Sequence, residues 1–155
     1  MSCDGIEFRE GTATKEEIQA HLEECDTGFS PRLGAKVNIA EYSEKIRMRA
    51  KTFEAWSGKA LVGLVAAYMN DSGTRTGFIT SVSVANDFKG RGIASTLLDH
   101  CINRSRQEGM RAVRLEVSLG SGEAIRLYKK RGFSELERRA TTVSMELEFS
   151  DNRQL

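Results

Sequence analysis

Proline is almost absent. Pro31 is the sole one in 155 residues, and no Pro-, Ser- or Gly-rich stretch interrupts the chain, so nothing marks a linker and one domain is the simplest organisation. Cysteine is scarce as well. Cys3, Cys25 and Cys101 are odd in number, far apart and never in a CxxC pair, which argues against a disulfide framework and against a zinc site. They read as reduced intracellular thiols. No sign of charge dominates, since 23 basic residues face 22 acidic ones for a formal net charge of +1. A nucleic-acid binder would carry a basic excess or stripe, so no nucleic-acid partner is expected. No long hydrophobic run exists either. The longest, Ala60 to Met69, is broken by Gly63 and falls well short of the ~20 residues that span a bilayer. Met1 to Phe8 lacks the apolar core of a signal peptide. The expectation is a cytoplasmic protein with no membrane contact and no metal.

What is present suffices for a packed domain. Apolar residues make up 39% and charged residues 29%, as in soluble globular chains. Ile6 to Arg9 can open as a strand. Thr14 and Glu17 form a capping box, and Ile18, Leu22 and Cys25 recur at helical spacing, which predicts a helix over 15–25. Residues 26–36, with Gly28, Pro31 and Gly34, read as a loop. Asn38 can cap a second helix through Tyr42, Ile46 and Arg49. The period then shortens to two. Strands are predicted over 52–56, 60–69 and 78–84, joined by turns at Ser57-Gly58-Lys59 and over Asn70 to Arg75. A long helix carries the apolar stripe Ile93, Ala94, Leu97, Leu98, Cys101 and Ile102 and stops at Gly109. A strand over 112–117, a short helix over 123–130 ended by Gly132, and a strand over 142–149 follow. This order implies an α/β (α+β) domain, a mixed sheet of six to seven strands covered by about four helices.

The most informative segment runs from Val82 to Ala94. A strand ends, Lys89-Gly90-Arg91-Gly92 follows, and a helix begins. Amides at a helix N-terminus lack partners inside the helix and carry the positive end of its dipole. Such a turn binds phosphate, glycine lets the backbone approach it, and Lys89 and Arg91 add positive charge. The turn is neither a Walker loop, because no Gly-Lys-Ser/Thr closes it, nor GxGxxG, because Ser95 stands where the third glycine would be.

Lys89 to Ala94 resembles the pyrophosphate-binding signature Arg/Gln-x-x-Gly-x-Gly/Ala of GNAT-type N-acetyltransferases, with Lys89 at the Arg/Gln position. Some thirty residues on, Ala124-Ile125-Arg126-Leu127-Tyr128-Lys129-Lys130-Arg131-Gly132-Phe133 resembles the second signature of that family. The resemblance implies a mostly antiparallel sheet with a splayed central parallel pair, strands 78–84 and 112–117. It implies acetyl-CoA as co-substrate, and no metal. The pantetheine arm would pair with the backbone near Val82 and Val84, and the pyrophosphate would rest on Lys89, Gly90, Arg91, Gly92, Ile93, Ala94 and Ser95. Ser121 stands where many relatives carry a cofactor-binding asparagine. Residues 1–75 would form the acceptor side and 76–135 the acetyl-CoA-binding core of a single domain, 1–155.

Amine acetylation needs a base for the ammonium, stabilisation of the thioester oxygen and a proton for the thiolate. The resemblance puts Tyr128 beside the cofactor sulfur as the acid. Glu116 sits between Leu115 and Val117, and its spacing to Tyr128 resembles the base–acid pair of ribosomal-protein alanine acetyltransferases. Partial burial would raise its pKa towards neutrality. The alternatives for Glu116 are a solvated strand face or an ion pair with Arg114 or Lys129, and a water chain can replace it as base. His21 and His100 read as packing or surface residues, and Cys101 as a core thiol. For the acceptor, a small-molecule or peptide amine, Phe29, Arg32, Tyr42, Tyr68, Asn70 and Asp71 are available. Asn70 and Asp71 equally suit an ordinary capped turn. A homodimer is open. The rival functions are a non-catalytic acyl-CoA-binding sensor of the same fold and a nucleotide-phosphate binder of another class.

Overall fold

The computed structural model describes residues 5–29 and 32–149; Cys3 and Pro31 lie outside them. Its elements are β1 (Ile6–Glu10), α1 (Lys15–Cys25), α2 (Leu33–Lys36), α3 (Ile39–Arg49), β2 (Lys51–Ser57), β3 (Ala60–Tyr68), β4 (Thr76–Val84), α4 (Ile93–Gln107), β5 (Ala112–Ser118), α5 (Gly122–Lys130), β6 (Ser134–Arg138) and β7 (Thr142–Glu148). The helix starts follow from local chemistry. The Glu17 amide donates to Thr14 Oγ1 at 3.1 Å, and Glu17 Oε1 accepts from the Thr14 amide at 2.9 Å. Asn38 Oδ1 accepts from the Glu41 amide at 3.0 Å and starts α3. One expectation needs correction. The loop after α1 is not structureless, because a 3₁₀ turn at Asp26–Gly28 and the one-turn helix α2 fold within it. Its organiser is Asp26, which accepts from Arg32 and from the Gly34 amide at 2.7 Å. The strand β6, which follows α5, is the seventh of the six to seven strands expected.

One seven-stranded sheet holds the elements in the order β1-β2-β3-β4-β5-β7-β6. Every neighbouring pair is antiparallel except β4 and β5. That parallel pair is short. Thr76, Gly77 and Phe78 pair with Ala112, Val113 and Arg114, and beyond Phe78 the two strands diverge. A wedge therefore opens in the middle of the sheet, between residues 79–84 and 115–118.

Helices cover both faces. Leu97, Leu98, Cys101 and Ile102 of α4 pack with Val65, Ala67, Val113 and Met145. On the other face Ile18 and Leu22 of α1 and Ile46 of α3 pack with Leu64, Ala66 and Trp56. The approach of α4 to β3 depends on Gly63: a Cβ there would lie 2.8 Å from Ile93 Cγ2 and 3.2 Å from Leu97 Cδ1. This contact fixes the N-terminus of α4 against the sheet beside the wedge.

Glu54 is fully buried and ties the entrance of α1 to the sheet. It accepts hydrogen bonds from the Thr12 and Ala13 amides and from Thr12 Oγ1, Thr52 Oγ1 and Trp56 Nε1. Burial alone would raise its pKa, but these donors outweigh burial and hold it below the usual carboxylate value. Glu54 is thus a satisfied structural anion, paired as a buried charge must be.

Candidate active site

The loop between β4 and α4 ends with two glycines in the left-handed region, Gly90 at φ +82° and Gly92 at φ +77°. A side chain would strain either position, and around the Cβ each lacks there is open space. Gly92 is the N-cap of α4 and provides no side-chain cap. The first amides of this 15-residue helix therefore point outward without an intrahelical partner, at the positive end of the dipole. Lys89 extends from the same loop across to the end of α1, its Nζ 3.6 Å from where a Cβ of Gly28 would sit. Arg91 turns the other way, stacking its guanidinium 4.9 Å over the Phe88 ring and donating to the Asp87 carbonyl.

Two cavities fill the wedge. The first, about 380 Å³, runs from the glycine loop to α5 and is lined by Val82, Val84, Lys89, Gly90, Ile93, Ala94 and Tyr128, together with Cys25, Phe29, Ser83 and Leu127. The second, about 390 Å³, lies on the β5 side beneath α2 and α3. Tyr42, Ser81, Glu116, Ser121 and Tyr128 are among its walls. Both volumes suit a small-ligand site. Gly28, Phe29, Val82, Ala124 and Tyr128 border both cavities, so Tyr128 stands where they meet.

The Tyr128 ring is 6% exposed and packs against Phe133 at 5.9 Å. Burial pushes its phenol up to about 12, so it keeps its proton throughout the physiological range. Glu116 differs from the sequence expectation of partial burial: it is exposed, because strand alternation turns it away from the core between buried Leu115 and half-buried Val117. Its Oε2 accepts from Thr142 Oγ1 at 3.2 Å. The ion pairs considered for it do not form, since Arg114 pairs with Glu146 and Lys129 with Glu135.

Of the residues singled out from the sequence, Val82, Val84, Lys89, Gly90, Ile93 and Ala94 share the first cavity with Tyr128. Glu116 and Ser121 share the second with it. Gly92 shapes the cradle as the helix cap. Arg91 faces outward, and Ser95 lines a separate surface hollow with Glu123 and Arg126. On the acceptor side Phe29 and Tyr42 line the second cavity. Arg32 instead pairs with Asp26, and Asp71 caps its own turn by accepting from the Gly73 and Thr74 amides.

A buried pair at the inner wall has no signature in the sequence. His21 Nδ1 lies 3.0 Å from the Leu61 carbonyl, which only an N–H can satisfy. Nε2 is therefore the acceptor, and the Ser83 hydroxyl donates to it at 2.8 Å. Burial drives His21 down to about 4, against the opposing pull of the Leu61 and Ser83 contacts. Cys25 Sγ lies 3.7 Å from the same ring nitrogen, and burial pushes its thiol up to about 11. His21 thus serves as a fixed neutral strut between α1, β3 and β4. In the unfolded chain it takes up a proton near pH 6.5, but in the folded protein only near pH 4. Stability is complete above the higher value and lost as pH falls. Unfolding free energy should drop by about 2 kcal/mol between pH 7 and pH 5 from this group alone. Urea melts of the wild type and of His21→Gln measure it; an identical pH slope in both proteins would assign the loss elsewhere.

The acetyltransferase (GNAT) family matches residues 15–133, well over half of the chain. The chain belongs to the GNAT family. Among curated relatives, this GNAT protein is 39% identical over 59 residues to an uncharacterised N-acetyltransferase of Methanocaldococcus jannaschii, a match covering 38% of this chain and 26% of that one. It is 32% identical over 87 residues to the N-alpha-acetyltransferase MAK3 of Arabidopsis thaliana, covering 56% of this chain and 46% of that protein. The matches thus span less than half the length of either relative. The fold is also that of the PaiA N-acetyltransferase of Thermoplasma acidophilum solved in complex with coenzyme A. The TM-score is 0.73 at 15% identity, with 93% of this chain and 99% of that one covered. No helix among the described residues is long and apolar enough to cross a membrane, and no group of three or more of their His, Cys, Asp and Glu residues could hold a metal ion.

Proposed function

We propose that this GNAT protein is an N-acetyltransferase that moves the acetyl group of acetyl-CoA directly onto a primary amine, within a complex holding both. The observation that carries this reading is the wedge between β4 and β5. It has uncapped helix amides at one end, a buried phenol at its centre and a second cavity beyond. Acetyl-CoA would lie in the first cavity, its diphosphate on the N-terminal amides of α4 near Lys89 and its arm along Val82 to Val84 as an added strand. The coenzyme A complex of the PaiA protein, which shares the fold, supports this ligand.

The amine would enter through the second cavity. Its nitrogen attacks the thioester carbonyl carbon, the ammonium proton passes to Glu116 or to a water chain, and the C–S bond breaks with Tyr128 donating to the departing sulfur. Exposed and held by Thr142, Glu116 lines the second cavity, which supports the base role. Calorimetry with coenzyme A tests the ligand, and thiol release in the presence of amines tests the reaction. Binding without turnover of any amine would make the protein an acyl-CoA sensor instead. Glu116→Gln is expected to move the acidic limb of the kcat/KM profile; an unmoved limb would give the base role to water.

A further inference from the structure

Ser81 and Ser83 lie two residues apart on one face of β4, opposite Ala66 and Leu64 and under α1 and α3. Ser83 is spoken for, its hydroxyl held by His21. Ser81 is 6% exposed, yet its Oγ has no hydrogen-bond partner, and it lines the second cavity. Tyr42 is near enough for Ser81 to oppose slightly the burial-driven rise of its phenol, but no hydrogen bond joins the two. The Tyr42 hydroxyl donates to the Thr80 carbonyl at 2.7 Å and accepts from Thr80 Oγ1 at 2.7 Å. A buried hydroxyl left unpaired costs about 1–3 kcal/mol, which a ligand group reaching it would recover.

The charges around the same cavity narrow what that group is. Lys36, exposed on α2, and Glu116 are its charged lining residues. A polyamine needs a carboxylate for each further ammonium. Here the single carboxylate belongs to the reacting amine, and Lys36 repels a second cation. Ser118 and Ser121 also line the cavity, but Lys36 offers donors alone and the unpaired Ser81 hydroxyl can turn its O–H to the same ligand atom, so the two together suit an oxygen.

We propose that Ser81 and Lys36 read an oxygen on the acceptor, so that the site takes amines bearing a carbonyl or carboxylate beside the nitrogen, either a free amino acid or the first residue of a peptide. This rests on the acetyltransferase reading above. Ser81 donates to the carbonyl oxygen common to both sources, and Lys36 adds attraction for a free carboxylate.

Coenzyme A thiol release from acetyl-CoA, with alanine amide, alanine, sec-butylamine and spermidine as acceptors, tests the proposal. The wild type should prefer alanine amide to spermidine. In Ser81→Ala the kcat/KM ratio of alanine amide to sec-butylamine should fall ~10-fold, as expected for one buried hydrogen bond, and Ser81→Thr should restore it. Lys36→Met should lower kcat/KM for alanine more than for alanine amide if the free acid is the acceptor, and both equally little if a peptide end is. A ratio unchanged in Ser81→Ala, or spermidine as the better acceptor, overturns the proposal. Coenzyme A binding with no thiol released on any of the four amines also overturns it while sparing the cofactor site. No coenzyme A binding at all overturns the reading beneath it.

Discussion

Replacing Gly92 with aspartate is expected to weaken acetyl-CoA binding at least ~100-fold while leaving the protein folded. Two effects combine. Gly92 holds φ +77°, a conformation that costs a side-chain-bearing residue about 1 kcal/mol or more, though aspartate tolerates it better than most. The larger effect is electrostatic. The Cβ would project into open space beside the uncapped amides of α4, placing a carboxylate where the diphosphate is to rest. The helix itself gains from a negative charge at its start, so melting temperature should change little while affinity collapses. Gly92→Ala separates the two effects, because it carries the strain without the charge and should lose far less affinity. Calorimetry with acetyl-CoA reads both variants. A dissociation constant for Gly92→Asp within about threefold of wild type would remove the α4 N-terminus as the phosphate site.

The elements legible in the sequence are those set by local rules. α1 and α3 begin where Thr14 and Asn38 cap them. The apolar stripe of α4 faces the core, and β4 alternates buried residues with half-buried or exposed ones. β6 was illegible because all its residues are exposed: a charged edge strand has no buried face to betray it. The site shows the same division. The glycine turn and Tyr128 announce themselves by motif. The exposure of Glu116 depends on which face of β5 is covered, and the outward turn of Arg91 on the Phe88 ring beside it. The difference between Ser81 and Ser83 is invisible in Ser81-Val82-Ser83-Val84, since it is made by His21, sixty-two residues before Ser83. Chain-distant partners set those properties, and one sequence does not state who meets whom.

Tyr128→Phe isolates chemistry from binding and should lower kcat ~100-fold, within the range of general-acid effects, with the affinity for acetyl-CoA unchanged. The ring provides the packing, against Phe133 at 5.9 Å, and phenylalanine keeps it. Among the described residues no hydrogen bond to the hydroxyl is lost, so stability should hold. The hydroxyl, at the junction of the two cavities, would serve only the sulfur. Its pKa of about 12 refines that role. Against a thiol near 8.5, full proton transfer would be uphill by roughly 3–4 units, or about 5 kcal/mol. Tyr128 would therefore stabilise the departing thiolate chiefly through a hydrogen bond in a water-poor site, where such a bond is stronger than in water. A donor that keeps its proton to about pH 12 adds no alkaline limb of its own, so the pH–rate profile of the variant should match the wild type in shape and differ only in height. A parallel fall in cofactor affinity and rate would make Tyr128 a binding residue; a kcat within twofold of wild type would leave the thiolate to solvent.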